Sequence, residues 1–101
     1  HKGIDIACSI GTPVVASAEG TVVFAGSKKG YGKTIIVEHR NGYRTLYGHL
    51  SKYSVKAGTK VKQGQIIALS GMTGRATGPH LHFEVRRQGQ PERPNFHLAK
   101  I

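Results

Sequence analysis

Six histidines stand in 101 residues, and three places put them where a metal or a proton could be handled. The opening "HKGID" sets His1 and Asp5 four apart, "LYGHL" carries His49, and "GPHLHFE" sets His80 and His82 two apart. Along an extended strand alternate side chains share a face, so His1, Gly3 and Asp5 form one row and His80, His82 and Glu84 another. Leu81, Phe83 and Val85 take the opposite face, so that strand can bury an apolar side while presenting two imidazoles to a cleft. A hydrolytic zinc needs three nitrogen or oxygen ligands at about 2.0–2.2 Å and an open fourth position for water. Two imidazoles and one carboxylate suffice. The remaining histidines can then act as general base or as donors to a developing oxyanion, because imidazole titrates near neutral pH. Five residues are candidates for these roles, His1, Asp5, His49, His80 and His82, and the sequence alone does not separate His80 from His82.

The rest of the composition narrows the chemistry. A single cysteine, Cys8, excludes an intrachain disulfide framework and any multi-cysteine zinc or iron–sulfur site, so a metal here must use His, Asp or Glu. Cys8 lies three residues beyond Asp5 in the opposite strand parity and is expected to be a small buried side chain. Fifteen Lys and Arg against five Asp and Glu give a net charge of +10, which favours polyanionic surroundings: nucleic acid, anionic lipid or an acidic cell-wall polymer. Lys28-Lys29 and Arg86-Arg87 are read as solvated turns and faces that could meet such a polymer, and no base-reading motif supports nucleic acid. No apolar stretch approaches the 18 or more residues of a transmembrane helix, and no signal-peptide pattern opens the sequence.

The elements that must position these residues are strands. Fourteen glycines separate short apolar runs rich in Val, Ile, Tyr and Phe at 13 to 17, 20 to 25, 33 to 39, 43 to 49, 64 to 70 and 80 to 87. That pattern predicts an all-β domain of antiparallel sheets with little or no helix, one domain spanning residues 1–101. Asn41-Gly42 between "KTIIVEH" and "YRTLYGH" predicts a hairpin joining 33 to 39 with 43 to 49. A faint repeat, Gly11-Thr12-Pro13-Val14 against Gly58-Thr59-Lys60-Val61, predicts two similar β-units packed on each other. The second unit, "VKAGTKVKQGQIIALSG", resembles the half-motif of biotinyl and lipoyl carrier domains, which fold as barrel-sandwich hybrids. A carrier needs a modifiable lysine at a hairpin tip, and "SGMTGRATG" has none, so the likeness concerns the fold alone. The tail "RRQGQPERPNFHLAKI" reads as a loop and a short terminal piece.

Taken in order, "HKGID", "YGHLS" and "TGRATGPHLHFE", with the intervening "GTPVVASAEGTVVFAG", "NGYRTLYGHLS" and "VKQGQIIALSGMTG", resemble the lysostaphin and LytM type of zinc metalloendopeptidases. The likeness runs from His1 to about residue 94. It implies one Zn²⁺ held by His1, Asp5 and His82, with His49 and His80 flanking the bound water as the catalytic pair. It implies an extracytoplasmic hydrolase of peptidoglycan cross-links, with peptidoglycan peptides as partners and no nucleic acid. The alternative within the same family type is a catalytically silent domain that binds and activates a cell-wall amidase. Family members usually carry a strand and loop upstream of the first ligand, so the sequence reads as truncated at that end. His39 and His97 lie outside the pattern and are read as structural or exposed. Glu84 is read either as a second carboxylate orienting a ligand or as an ordinary salt-bridge partner. Tyr31, Tyr43, Tyr47 and Tyr53 are read as core or as groove lining.

Overall fold

The computed structural model describes residues 3–87 and 90–92. Nine strands account for nearly all of its regular structure: β1 (Ile4–Ala7), β2 (Pro13–Val15), β3 (Gly20–Lys28), β4 (Gly32–Glu38), β5 (Tyr43–Tyr53), β6 (Lys60–Val61), β7 (Ile66–Ser70), β8 (His80–Arg87) and β9 (Gln90–Glu92). All pairings are antiparallel, and the main path runs β1-β8-β5-β4-β3-β6 from one edge to the other without closing. The all-β expectation holds, and among the described residues the one helical piece is a three-residue 3-10 turn at Arg40–Gly42.

That turn is the expected hairpin. Asn41 sits at φ 62° and Gly42 at φ 75°, and the N–H of Tyr43 donates to the carbonyl of Arg40. Two successive positive φ values match the right-handed twist of the flanking strands, and only Asn and Gly adopt them cheaply. β4 and β5 then pair from Glu38↔Arg44 to Lys33↔Leu50. β5 runs four residues beyond the predicted end at 49, because its second half leaves β4 and pairs with β7.

The repeat appears as an exchange. The short strand of the first unit, β2, pairs with β7 of the second, and the short strand of the second, β6, pairs with β3 of the first. The hydrogen bonds correspond: Gly11 N–H donates to Ser70 and Ser70 N–H to Thr12, as Gly58 N–H donates to Val22 and Val22 N–H to Thr59. Neither unit completes its sheet alone. Between them lies a core of Ile35, Val37, Tyr47, Leu50, Ile67, Ala68 and Val85, none more than 1% exposed. Each large side chain of this set contributes about 1.5–3 kcal/mol by leaving water. The tail departs from its reading as a loop, since residues 90–92 form β9 on β8.

His39 is structural, as expected. It is buried, its Nδ1 lies 2.7 Å from the Glu19 carbonyl and its Nε2 lies 2.7 Å from Thr45 Oγ1. A carbonyl only accepts, so Nδ1 carries the proton and Thr45 donates to Nε2; Tyr47 O–H then donates to Thr45 and Ser17 to Tyr47. Burial pushes the imidazole below its ordinary 6.5, outweighing the Glu19 bond. The neutral form is therefore the folded form, and stability present above about pH 6.5 is lost as the pH falls toward the lowered value. In chemical denaturation of the intact protein, the stability gap between wild type and His39→Gln should narrow on acidification from pH 7.5 to 5. A gap that widens would show that His39 gains its proton on folding.

Candidate active site

β8 carries out the predicted division of faces. Phe83 and Val85 enter the core, while His80, His82 and Glu84 line the other side. β1 lies beside it with Asp5 opposite His82, so the carboxylate that is remote in sequence arrives next to the imidazoles through ordinary strand register. β5 flanks β8 on its other edge, with Gly48 opposite His82.

His49 reaches the site by a device that periodicity does not reveal. Between Ile35↔Tyr47 and Lys33↔Leu50 the register of β4 and β5 shifts, so β5 holds an extra residue there. His49 takes φ 58°, a left-handed conformation unusual for a non-glycine residue, and its N–H donates to the Tyr31 carbonyl at 2.6 Å. The bulge turns the side chain toward β8, bringing its ring centroid within 4.7 Å of His80 and 6.0 Å of His82.

Each of the three imidazoles has at least one nitrogen tied to the protein. His49 Nδ1 lies 2.6 Å from the Thr73 carbonyl and His80 Nδ1 lies 2.9 Å from the Gly78 carbonyl, so both Nδ1 atoms donate and, in the neutral rings, both Nε2 atoms keep a lone pair. His82 differs, with Nε2 2.8 Å from the Glu84 carboxylate and Nδ1 2.7 Å from Asp5 Oδ1. His80 Nε2 also approaches Asp5 Oδ1 at 3.4 Å. This asymmetry separates the two histidines that the sequence left equivalent: His82 is backed by a carboxylate, His80 by a neutral carbonyl.

Asp5 and His82, two of the three ligands that the resemblance implies, stand side by side. A neutral imidazole donates one hydrogen, yet His82 faces carboxylate oxygens at both nitrogens, so a positive charge belongs on or beside it. Asp5 Oδ1 with His82 Nδ1 is an oxygen and nitrogen pair suited to zinc, and the His82–Glu84 contact is the carboxylate partnership that metal-bound imidazoles commonly have. Among the described residues no group of three or more His, Cys, Asp or Glu side chains is placed to hold a metal ion. His1, the third ligand implied by the sequence, lies outside the described residues, as does His97. The hydrogen bond from His82, reinforced by the three nearby imidazoles, holds the Asp5 carboxyl below its ordinary 3.8.

Behind His82 the polar network is buried. Glu84 is fully buried, and its second oxygen accepts Arg86 Nε at 2.8 Å. Burial alone would raise its carboxyl, but bonds from Tyr31, His82 and Arg86 hold it below the usual 4.5. Glu84 thus forms an ion pair with Arg86, one of its two readings, and also bonds the site histidine His82. Arg86 is not the solvated residue expected, because it turns in to this carboxylate; Arg87 stacks over the Tyr43 ring at 5.3 Å. Tyr43 and Tyr47 are core, whereas Tyr31 packs its ring 5.4 Å from His82. Cys8 is half-buried rather than buried, since β1 ends at Ala7 on the sheet edge.

A model of peptidase family M23 matches residues 1–94. The chain belongs to peptidase family M23. It is 52% identical over 94 residues to the DD-carboxypeptidase/endopeptidase Mpg of Neisseria meningitidis, covering 93% of the chain and 22% of that protein. It is 50% identical over 91 residues to the peptidoglycan DD-endopeptidase ShyA of Vibrio cholerae, covering 90% and 21%. The M23 chain thus spans about a fifth of the length of these curated relatives. Among solved structures, the catalytic domain of lysostaphin from Staphylococcus simulans aligns with a TM-score of 0.91 and 43% identity over 98% of this chain and 79% of that one. A zinc-containing peptidase from Vibrio cholerae aligns with a TM-score of 0.87 and 47% identity over 91% and 28%. The lysostaphin-like fold and membership of the peptidase family are thereby established for this M23 chain.

Proposed function

We propose that this chain is the catalytic part of a zinc-dependent endopeptidase that hydrolyses peptide cross-links of bacterial peptidoglycan in an extracytoplasmic compartment. The observation that carries the reading is the gathering of the His49, His80 and His82 rings with Asp5 beside β8, a backbone carbonyl at Nδ1 of His49 and of His80 and a carboxylate at Nε2 of His82. His1, Asp5 and His82 would hold the metal, and the zinc-containing neighbour supports that choice of ion. A bound zinc supplies Lewis acidity toward water and the scissile carbonyl.

The protein's own groups handle the protons. In their neutral forms His49 and His80 each leave Nε2 without a proton, the opposite nitrogen being committed to a backbone carbonyl, so either ring can accept a proton from the attacking water while keeping that bond. The ring that has accepted it becomes a donor at Nε2, able to bond the developing oxyanion or to protonate the departing amine. Glu84 keeps the Nε2 hydrogen of His82 occupied and leaves Nδ1 directed at Asp5. The excess of basic residues favours adsorption to anionic wall polymers.

Incubation of the intact zinc-loaded protein with sacculi should release peptides shortened at the cross-link, with release lost on chelation and restored by zinc. No product from sacculi of any cross-link chemistry would refute the enzyme reading. Release that depends on an added amidase, and that separates peptide from glycan, would instead establish the silent activator.

A further inference from the structure

We infer that Thr73 is a positioning residue for hydrolysis: its carbonyl decides which nitrogen of His49 carries the proton, and its hydroxyl fixes that carbonyl in place. This rests on the proposed role of His49 as proton acceptor. Thr73 lies in the connection between β7 and β8, residues 71–79, which has no strand of its own. Its carbonyl oxygen stands 2.6 Å from His49 Nδ1. A carbonyl has no hydrogen to give, so the bond exists only with the proton on Nδ1, and Nε2 of the neutral ring is left as the acceptor, in a ring whose centroid lies 4.7 Å from that of His80.

The hydroxyl explains why a loop carbonyl is placed so closely. Lys33 of β4 and Leu50 of β5 are register partners beside the bulge that carries His49. The Thr73 side chain stands between them, accepting from Lys33 N–H at 3.0 Å and donating to the Leu50 carbonyl at 2.6 Å. It fills a place in the ladder that the bulge has opened, and so joins the loop to the same backbone distortion that projects His49. The main chain is equally tight. A Cβ on Gly32, itself at φ 68°, would stand 2.4 Å from the Thr73 carbonyl carbon, and one on Gly74 would stand 2.4 Å from the Gly32 nitrogen. Both crossing residues must be glycine. His49 is then held at two points on this crossing, through its N–H to Tyr31 and its Nδ1 to Thr73.

A hydroxyl at position 73 is therefore required, and a methyl group in its place is not equivalent. The test uses the intact zinc-loaded protein with ¹⁵N-labelled histidine, reading the tautomer of His49 from its ring nitrogen shifts alongside kcat, KM and zinc content. Wild type should show a proton-bearing Nδ1 and a bare Nε2, and a bare Nδ1 would overturn the inference before any variant is made. Thr73→Ser should keep both the shifts and kcat. Thr73→Val should mix the tautomers and lower kcat about tenfold or more, within the range of a displaced general base, with KM and zinc content held. Unchanged shifts and kcat in Thr73→Val, while His49→Ala abolishes cleavage, would refute the positioning role alone. Cleavage that survives His49→Ala would instead remove the catalytic role and this inference with it, whatever the shifts report.

Discussion

Replacing His49 by alanine is expected to lower kcat of peptide cross-link hydrolysis about 10²–10⁴-fold, the usual contribution of a positioned general base, while zinc remains bound. The separation of the two effects follows from the wiring. His49 bonds to Thr73 and Tyr31, and neither of its bonds goes to Asp5 or His82. The cation would meet Asp5 and His82, whose support comes from Glu84 on the other side. His49 also occupies a strained backbone position, φ 58°, which its replacement by alanine does not relieve. Stability should therefore change little beyond the loss of one buried side chain. Single-turnover assays on fixed sacculi, with metal content by mass spectrometry on the same samples, decide the matter. Stoichiometric zinc with undiminished turnover would show that the proton goes elsewhere, and His80→Ala would then be the variant expected to carry the loss.

The parts of this site that could be read from the sequence are those governed by strand periodicity. β8 shows its two faces in eight letters, because a side-chain period of two needs no knowledge of neighbours: His80, His82 and Glu84 fall together whatever else surrounds them. The Asn-Gly hairpin is legible for the same reason, since a type of turn that only those residues favour is written in two of them. What was not legible depends on distant partners. The bulge at His49 is a mismatch between two strands, visible only when Lys33 is set against Leu50, and Gly48 was its one local trace. Thr73 is 24 residues from the histidine it holds, and the segments that contain it, though they carry the family resemblance, say nothing of a bond to His49. Arg86 belongs to a dibasic pair that looks solvated, and its direction is decided by a carboxylate two residues back on the same face. The exchange of β2 and β6 between units was hinted at by the repeated Gly-Thr, but the repeat specifies likeness and not which unit completes which sheet. The division between His80 and His82 needed the identity of the atom behind each ring, a carbonyl in one case and a carboxylate in the other.

That last distinction leads to the variant with the largest combined effect. Glu84→Ala removes an acceptor shared by His82, Arg86 and Tyr31 at a fully buried position. Breaking a buried ion pair from one side costs about 3–5 kcal/mol, because the remaining charge stays desolvated. The cost here should fall near the lower end, since the Arg86 side chain is 25% exposed and can recover some hydration. The second consequence concerns the metal: loss of the carboxylate behind a ligating imidazole typically weakens binding 10–100-fold, by freeing the ring to turn and lowering its basicity. Arg86→Met separates the two. It leaves the carboxylate buried without its cation, and so should destabilise the fold comparably, yet Glu84 still faces His82 Nε2 and zinc affinity should fall by less than about tenfold. Competition with a chromophoric chelator gives the affinity and denaturant titration of the intact protein gives the stability. If Glu84→Ala binds zinc as tightly as wild type while Arg86→Met and Glu84→Ala unfold alike, Glu84 acts on the fold alone, and the contrast between His80 and His82 drawn from their partners has no bearing on metal binding.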